Sequence, residues 1–224
     1  MNRGSWLTAS TELFLGAVDR LADDDLATPS ALPGWSRRHV LAHVVSNAAA
    51  LGRLVRWART GVPEQMYGSR EQRAAEIEAG TQLPAEQLRS AVSTSAHELL
   101  TALEHMPSEA WHAEVVTAQG RRVPATEIPW LRTREVAVHA TDLAAGVGFA
   151  DLPAGFCSAL VDDVVAWRSG RDGHPALTLS DGQRIWAVAG IGPPATVELP
   201  LADLAAWLTR RLVLPKMPAL PAWL

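Results

Sequence analysis

Glu135 and His139 stand four residues apart in Arg134-Glu135-Val136-Ala137-Val138-His139. On a helix that spacing puts both side chains on one face, one turn apart, so a carboxylate oxygen and an imidazole nitrogen can reach one ion. A third donor, His43, lies in the apolar stretch Leu41-Ala42-His43-Val44-Val45. Two histidines and one carboxylate leave a fourth tetrahedral position open, the arrangement of catalytic rather than structural zinc. Spacing alone leaves other readings open. A lone histidine on an apolar face is more often a satisfied core residue, and Glu-x-x-x-His also arises as a charged pair on a helix surface. Glu135 shifts the balance, because Val136, Ala137 and Val138 flank it and an unpaired carboxylate on a buried face demands a partner.

Around these three stand weaker candidates. Asp142, three residues after His139, suits a carboxylate that holds a ligating imidazole, or simply a charge near a helix end. Asn47, four residues after His43, reads as a polar contact in the helix interior. Trp35 and Trp130 read first as core aromatics and second as pocket walls. His39 reads as a helix-surface residue; His97, His105, His112 and His174 lack partners at ligand spacing. Cys157, the single cysteine, reads as a small buried hydrophobe.

The elements that must carry these residues are mostly helical. Apolar residues at Leu7, Leu13, Phe14, Ala17, Val18 and Leu21 approximate a 3.6-residue period over Ser5 to Leu21. Leu32-Pro33-Gly34-Trp35 is a turn, and Ser36 is the expected N-cap of a second helix running through Arg59. A short polar helix is expected from Ser69 to Ala79, then a long one from Pro84 to Met106. Val115-Val116-Thr117-Ala118, Gln119-Gly120 and Arg121-Arg122-Val123 read as a small hairpin, and a helix from Ala125 to Ala145 carries Glu135 and His139. Four long helices with one inserted excursion predict a bundle, whose facing helices can hold a metal. The last third predicts a helix to Trp167, strands at Ala176–Leu179, Arg184–Val188 and Ala195–Leu199, and a helix from Leu201 to Leu212. The chain therefore reads as α+β, with a helical bundle over residues 1–150 and a small α/β domain over 151–224.

Composition excludes several classes. Hydrophobic content of 48% and charged content of 20% provide for a core in 224 residues. A net charge of -4, with basic pairs such as Arg37-Arg38 and Arg121-Arg122 that do not extend into a stripe, argues against nucleic acid as a partner. Charged residues interrupt every apolar run, so no membrane span is expected, and no signal-peptide core follows the N-terminus. One cysteine rules out an internal disulfide framework and fits a reducing cytoplasm.

Three ordered segments carry a resemblance. Gly34-Trp35-Ser36-Arg37-Arg38-His39-Val40-Leu41-Ala42-His43, then Thr117-Ala118-Gln119-Gly120-Arg121-Arg122-Val123-Pro124-Ala125, then Trp130-Leu131-Arg132-Thr133-Arg134-Glu135-Val136-Ala137-Val138-His139-Ala140-Thr141-Asp142-Leu143 resemble the mycothiol-dependent maleylpyruvate isomerases. Met66-Tyr67 and the closing Pro221-Ala222-Trp223-Leu224 match as well. The resemblance implies a DinB-like four-helix bundle followed by a small α/β domain, and a zinc ion held by His43, Glu135 and His139. It implies conversion of maleylpyruvate to fumarylpyruvate in gentisate breakdown, with mycothiol as cofactor. It also implies two functional arginines, matched by Arg73 and Arg211. Arg210-Arg211-Leu212 departs from the pattern, since the family tends to have glycines flanking the arginine, and Arg210 is the alternative for that role.

The implied chemistry suits these residue types. Isomerisation needs the double bond to become single for a moment, which reversible addition of a thiolate achieves. A free thiol is mostly protonated at neutral pH, and zinc coordination would deprotonate it. The protein then needs no nucleophilic cysteine of its own. The substrate is a dicarboxylate, so arginines are the expected grips for its carboxylates or the enolate. Two rivals stand beside this: a mycothiol S-transferase acting on another electrophile, and a non-enzymatic module that binds metal or thiol.

Overall fold

The computed structural model describes residues 3–223. Met1, Asn2 and Leu224, the last of these ending the Pro-Ala-Trp-Leu motif, lie outside the described residues. The chain divides into two units, one up to Val147 and one from Gly148.

In the first unit, α1 (Arg3–Asp19) buries Leu7, Phe14, Ala17 and Val18, the periodic apolar face. Its partner α2 (Arg37–Thr60) is closed at both ends by local chemistry. At its start the Ser36 N–H and hydroxyl both donate to His39 Nδ1, at 3.1 and 2.7 Å, a histidine version of the capping box. At its end Gly61 takes φ 71°, which a glycine adopts without a Cβ clash, and its N–H donates to Trp57 O at 2.8 Å. The short helix α3 (Arg70–Thr81) is capped by Ser69, whose hydroxyl accepts from the Gln72 N–H at 3.0 Å. The long α4 (Ala85–Glu104) follows Pro84. Strands β1 (Glu114–Val116) and β2 (Arg122–Pro124) form the expected antiparallel hairpin, with Val115 opposite Val123. A turn of 3₁₀ helix over Ala125–Glu127 leads into α5 (Ile128–Asp142). Pro129 sits in the first turn of α5, where its missing N–H removes no helical bond.

These helices pack as a four-helix bundle: α1 on α5, α2 on α4, α2 on α5, with α3 alongside α2. One apolar cluster joins Phe14, Leu41, Val44, Leu88, Val136 and Ala140. A second joins Leu51, Leu54, Leu103 and Ile128, and the hairpin drives Val115 and Val123 into it. Each fully buried leucine here contributes about 2 kcal/mol. Two contacts fix the elements that matter for the site. Gly80 lets α3 approach α2 closely, since a Cβ there would fall 2.7 Å from the Ala42 Cβ. Arg37, in the first turn of α2, donates to Leu143 O at 2.7 Å and Ala144 O at 3.2 Å, capping the end of α5.

The second unit contains α6 (Ala154–Arg168), β3 (Pro175–Ser180), β4 (Ile185–Val188), β5 (Ile191–Glu198) and α7 (Leu201–Leu208). The sheet order is β4-β3-β5, with β3 antiparallel to β4 and parallel to β5. The chain thus contains a four-helix bundle and a small α/β unit. Two sequence expectations need correction. The third strand begins at Ile191 rather than Ala195, running through Pro193 and Pro194. Prolines usually end strands, but β5 is an edge strand and needs no donors on its outer side. The last helix stops at Leu208 rather than Leu212, because Arg210 turns left-handed at φ 64°. Its N–H donates to Trp207 O at 2.9 Å and that of Arg211 to Ala206 O at 2.8 Å. That is a Schellman ending with arginine where glycine is usual. An L-residue in this conformation is strained by about 1–2 kcal/mol, partly offset by the unfolded-state freedom that glycine adds. Arg210→Gly is therefore expected to raise the melting temperature by about 2 °C; a lower value would mean that the Arg210 side chain makes a contact worth more than the strain.

Candidate metal centre

Among the described residues, His43 from α2 and Glu135 and His139 from α5 place one donor atom each within 4.8 Å of one another. His43 Nε2 lies 3.0 Å from Glu135 Oε2, and His139 Nε2 lies 3.5 Å from the same oxygen. The two imidazole rings meet edge-on, with centroids 4.7 Å apart. Both histidine side chains are nearly enclosed, at 6% and 12% exposure, whereas Glu135 retains 23%. The cluster therefore opens on the carboxylate side.

Each imidazole has a distinct neighbour on its other nitrogen. His139 Nδ1 lies 2.9 Å from Oδ2 of Asp142, which is fully buried. A carboxylate there fixes a proton on Nδ1, which makes Nε2, the nitrogen facing Glu135, the one that a divalent ion would bind. His43 Nδ1 instead lies 3.1 Å from Arg73 Nη2. A guanidinium can only donate, so in this arrangement His43 carries its proton on Nε2, facing Glu135. Binding a divalent ion at Nε2 would need the other tautomer, with the proton on Nδ1 and the hydrogen bond from Arg73 given up.

The electrostatics follow from these contacts. Burial, aided by His139 and Arg73, holds His43 below its ordinary value despite the pull of Glu135. Burial also opposes charge on His139, but the hydrogen bonds to Asp142 and Glu135 outweigh it and hold this imidazole up. Burial would raise Glu135, yet hydrogen bonds from both histidines keep it well below the usual carboxylate range. The site so contains an ionised carboxylate and two imidazole nitrogens aimed at one point, a donor set suited to zinc or another divalent ion.

Next to this cluster stands Arg73 of α3, its guanidinium carbon 5.6 Å from the Tyr67 ring centroid. Burial pushes the Tyr67 phenol up, against the charge of Arg73 and hydrogen bonding with Arg73 and Ser46. Ser46 in turn donates to Glu76 Oε2 at 3.0 Å. Trp35 places its ring 5.6 Å from His43 and stacks on His39 at 6.0 Å. Trp130 packs edge-on against Trp6 in the core. His39 serves the helix cap, and Cys157 is buried with its thiol pushed up to about 11 by burial, unsuited to nucleophilic work. Arg211 belongs to the other unit, where its Nη1 donates to Thr209 O at 2.8 Å.

Sequence reading passed over two residues at this centre. Tyr67 was one member of a short matching motif, with nothing in its neighbours to point at Arg73. Arg132, buried in α5, lies three residues before Glu135 and so shares its helix face. That spacing is the signal that could have found it.

Comparison with known proteins bears on the whole chain. The profile of the mycothiol maleylpyruvate isomerase N-terminal domain matches residues 7–144. The chain belongs to this family. The crystal structure of the mycothiol-dependent maleylpyruvate isomerase superposes with a TM-score of 0.94 at 31% identity, covering 99% of this chain and 95% of that one. A histidine-to-alanine mutant of that enzyme gives the same values. YfiT from Bacillus subtilis, described as a probable metal-dependent hydrolase with an unusual four-helix bundle topology, matches at a TM-score of 0.51 and 14% identity, covering 63% of this chain and 85% of that one. This last likeness concerns the fold alone. No match was found among curated protein sequences. No helix of this family member, among the described residues, is long and apolar enough to cross a membrane.

Proposed function

We propose that this family member isomerises maleylpyruvate to fumarylpyruvate with mycothiol as thiol cofactor, at a zinc site formed by His43, Glu135 and His139. The observation that carries this reading is the likeness over 99% of the chain to the mycothiol-dependent maleylpyruvate isomerase. The converging donor set supports the metal part of it. A divalent ion held there would act as a Lewis acid that keeps the thiol as thiolate near neutral pH.

The residues of the chain supply the remaining requirements. Mycothiol, when bound, would supply a thiolate for reversible addition to the cis double bond, the π electrons being taken up toward the carbonyl and returned as the same thiolate leaves after rotation, so no proton or electron would be gained or lost overall. Arg73, at the edge of the cluster, grips a substrate carboxylate or the enolate oxygen. Arg211, of the other unit, is the second arginine that the resemblance implies. Arg210 uses its backbone at the glycine-like position of the Schellman turn, which favours Arg211 over its neighbour for this role. The setting is a cytoplasmic step of aromatic breakdown, and the partners are a small dicarboxylate and mycothiol.

The test is direct. Zinc-loaded protein mixed with maleylpyruvate should consume its absorbance only when mycothiol is present. No thiol-dependent loss in a sample with bound zinc would remove the reading. Asp142 offers a further check. Asp142→Asn keeps the shape but removes the charge that holds the His139 Nδ1 proton, and metal affinity should fall about 10–100-fold. Competition against a chromophoric chelator measures it; unchanged affinity would make Asp142 a packing residue.

A further inference from the structure

Arg132, within α5, is 2% exposed. Its Nη1 donates to Val44 O at 2.8 Å and to Asn47 Oδ1 at 2.9 Å, both on α2. Val44 is the residue after His43, and Asn47 lies one turn beyond it. Nη2 is buried with no partner. Burial draws the guanidinium down to about 10, so it remains charged at neutral pH, with Glu135 and Tyr67 as its favourable neighbours.

Stability alone explains this residue badly. A buried cation with an unmade hydrogen bond is costly, and an apolar side chain of similar volume often serves a core as well or better. Helix capping does not explain it either. Arg37 binds carbonyls at the end of α5, where they lack helical partners, whereas Val44 O lies inside α2. What sets the two Arg132 bonds apart is their level. They tie the helix that carries Glu135 and His139 to the turn of α2 that carries His43.

We propose that Arg132 is a positioning residue that sets His43 at ligating distance from Glu135 and His139, by anchoring α2 to α5 through Val44 O and Asn47 Oδ1. This rests on the metal-site reading above. It predicts that Arg132 acts on metal affinity through His43, with little effect on the stability of the metal-free bundle.

The experiment uses the full chain, titrated with zinc against a chromophoric chelator, together with thermal melts of the metal-free protein. In Arg132→Met combined with Asn47→Leu, both partners of the buried bond are replaced, so no acceptor is orphaned. The expected result is a melting temperature close to the parent and zinc affinity weaker by about 10–100-fold. Asn47→Ala, which leaves Arg132 in place with one anchor, gives a second reading should the double variant fail to fold: affinity weaker by about threefold or more with the melt retained. Unchanged zinc affinity in folded variants overturns the proposal, as does a melting temperature of the metal-free double variant that falls together with the affinity. A wild-type protein that binds no zinc overturns the metal-site reading itself, a separate outcome from failure of the Arg132 variants alone.

Discussion

His139→Ala is expected to lose bound zinc and, with it, thiol-dependent isomerisation by about 10³-fold or more, the scale on which removing one preorganised charge-stabilising group acts. The reasoning runs from the donor set. Glu135 Oε2 lies between two imidazole nitrogens at 3.0 and 3.5 Å, and deleting either leaves a pair of ligands where three are needed for firm binding. A thiol then falls back on its own acidity, and at pH 7 only a few per cent is thiolate. His43→Ala should behave similarly. Chelation of the wild-type protein should reproduce the loss, and returning zinc should reverse it, which no ligand variant allows. Since Asp142 and Glu135 hold the His139 pKa up, protons compete with metal at this imidazole, and zinc affinity should fall as pH is lowered through its raised value. His39→Ala is the control. Its ring caps α2 through Ser36, so turnover should persist while stability drops by about 1 kcal/mol. Retained activity in zinc-free His139→Ala would overturn the metal-dependent mechanism.

What the sequence made legible was local. Ser36 and Gly61 bracket α2 because capping chemistry is written in a few adjacent residues. Glu135 and His139 share a face because helical spacing puts them there. His43 was harder, since its approach to α5 depends on a packing of α2 against α5 that no local pattern specifies. Arg132 offered one local signal, its place three residues before Glu135, but its contacts were not legible: its acceptors are 88 and 85 residues away, and one of them is a backbone carbonyl that any residue would present. The end of α7 was misread because Arg210 adopts a backbone conformation that glycine normally signals. The start of β5 was misread because prolines are tolerated at an edge that only the tertiary sheet order defines. The resemblance to a family supplied the arginine roles, which spacing could not, because Arg73 belongs to a different helix from every ligand.

Arg73→Met is expected to cut turnover by about 10²–10³-fold while leaving zinc content intact, and this combination is what separates an anion grip from a structural arginine. Arg73 touches the cluster only through His43 Nδ1, at 3.1 Å, on the side of the ring away from Glu135. Removing it takes away no ligand atom. It also removes a cation whose charge lowers the His43 pKa, so metal binding loses nothing essential. What disappears is a charged, planar donor beside Tyr67, at the edge of a site whose open side is marked by the 23% exposure of Glu135. If Arg73 holds the substrate carboxylate equally in ground and transition states, KM rises with kcat preserved; if it meets the enolate, kcat falls. Arg73→Lys should recover little, because an ammonium cannot reproduce the two-point grip of a guanidinium on a carboxylate. Loss of zinc from Arg73→Met would reverse the assignment, making the arginine a support for His43 rather than a contact for substrate. Full activity in the zinc-loaded variant would remove it from the mechanism altogether.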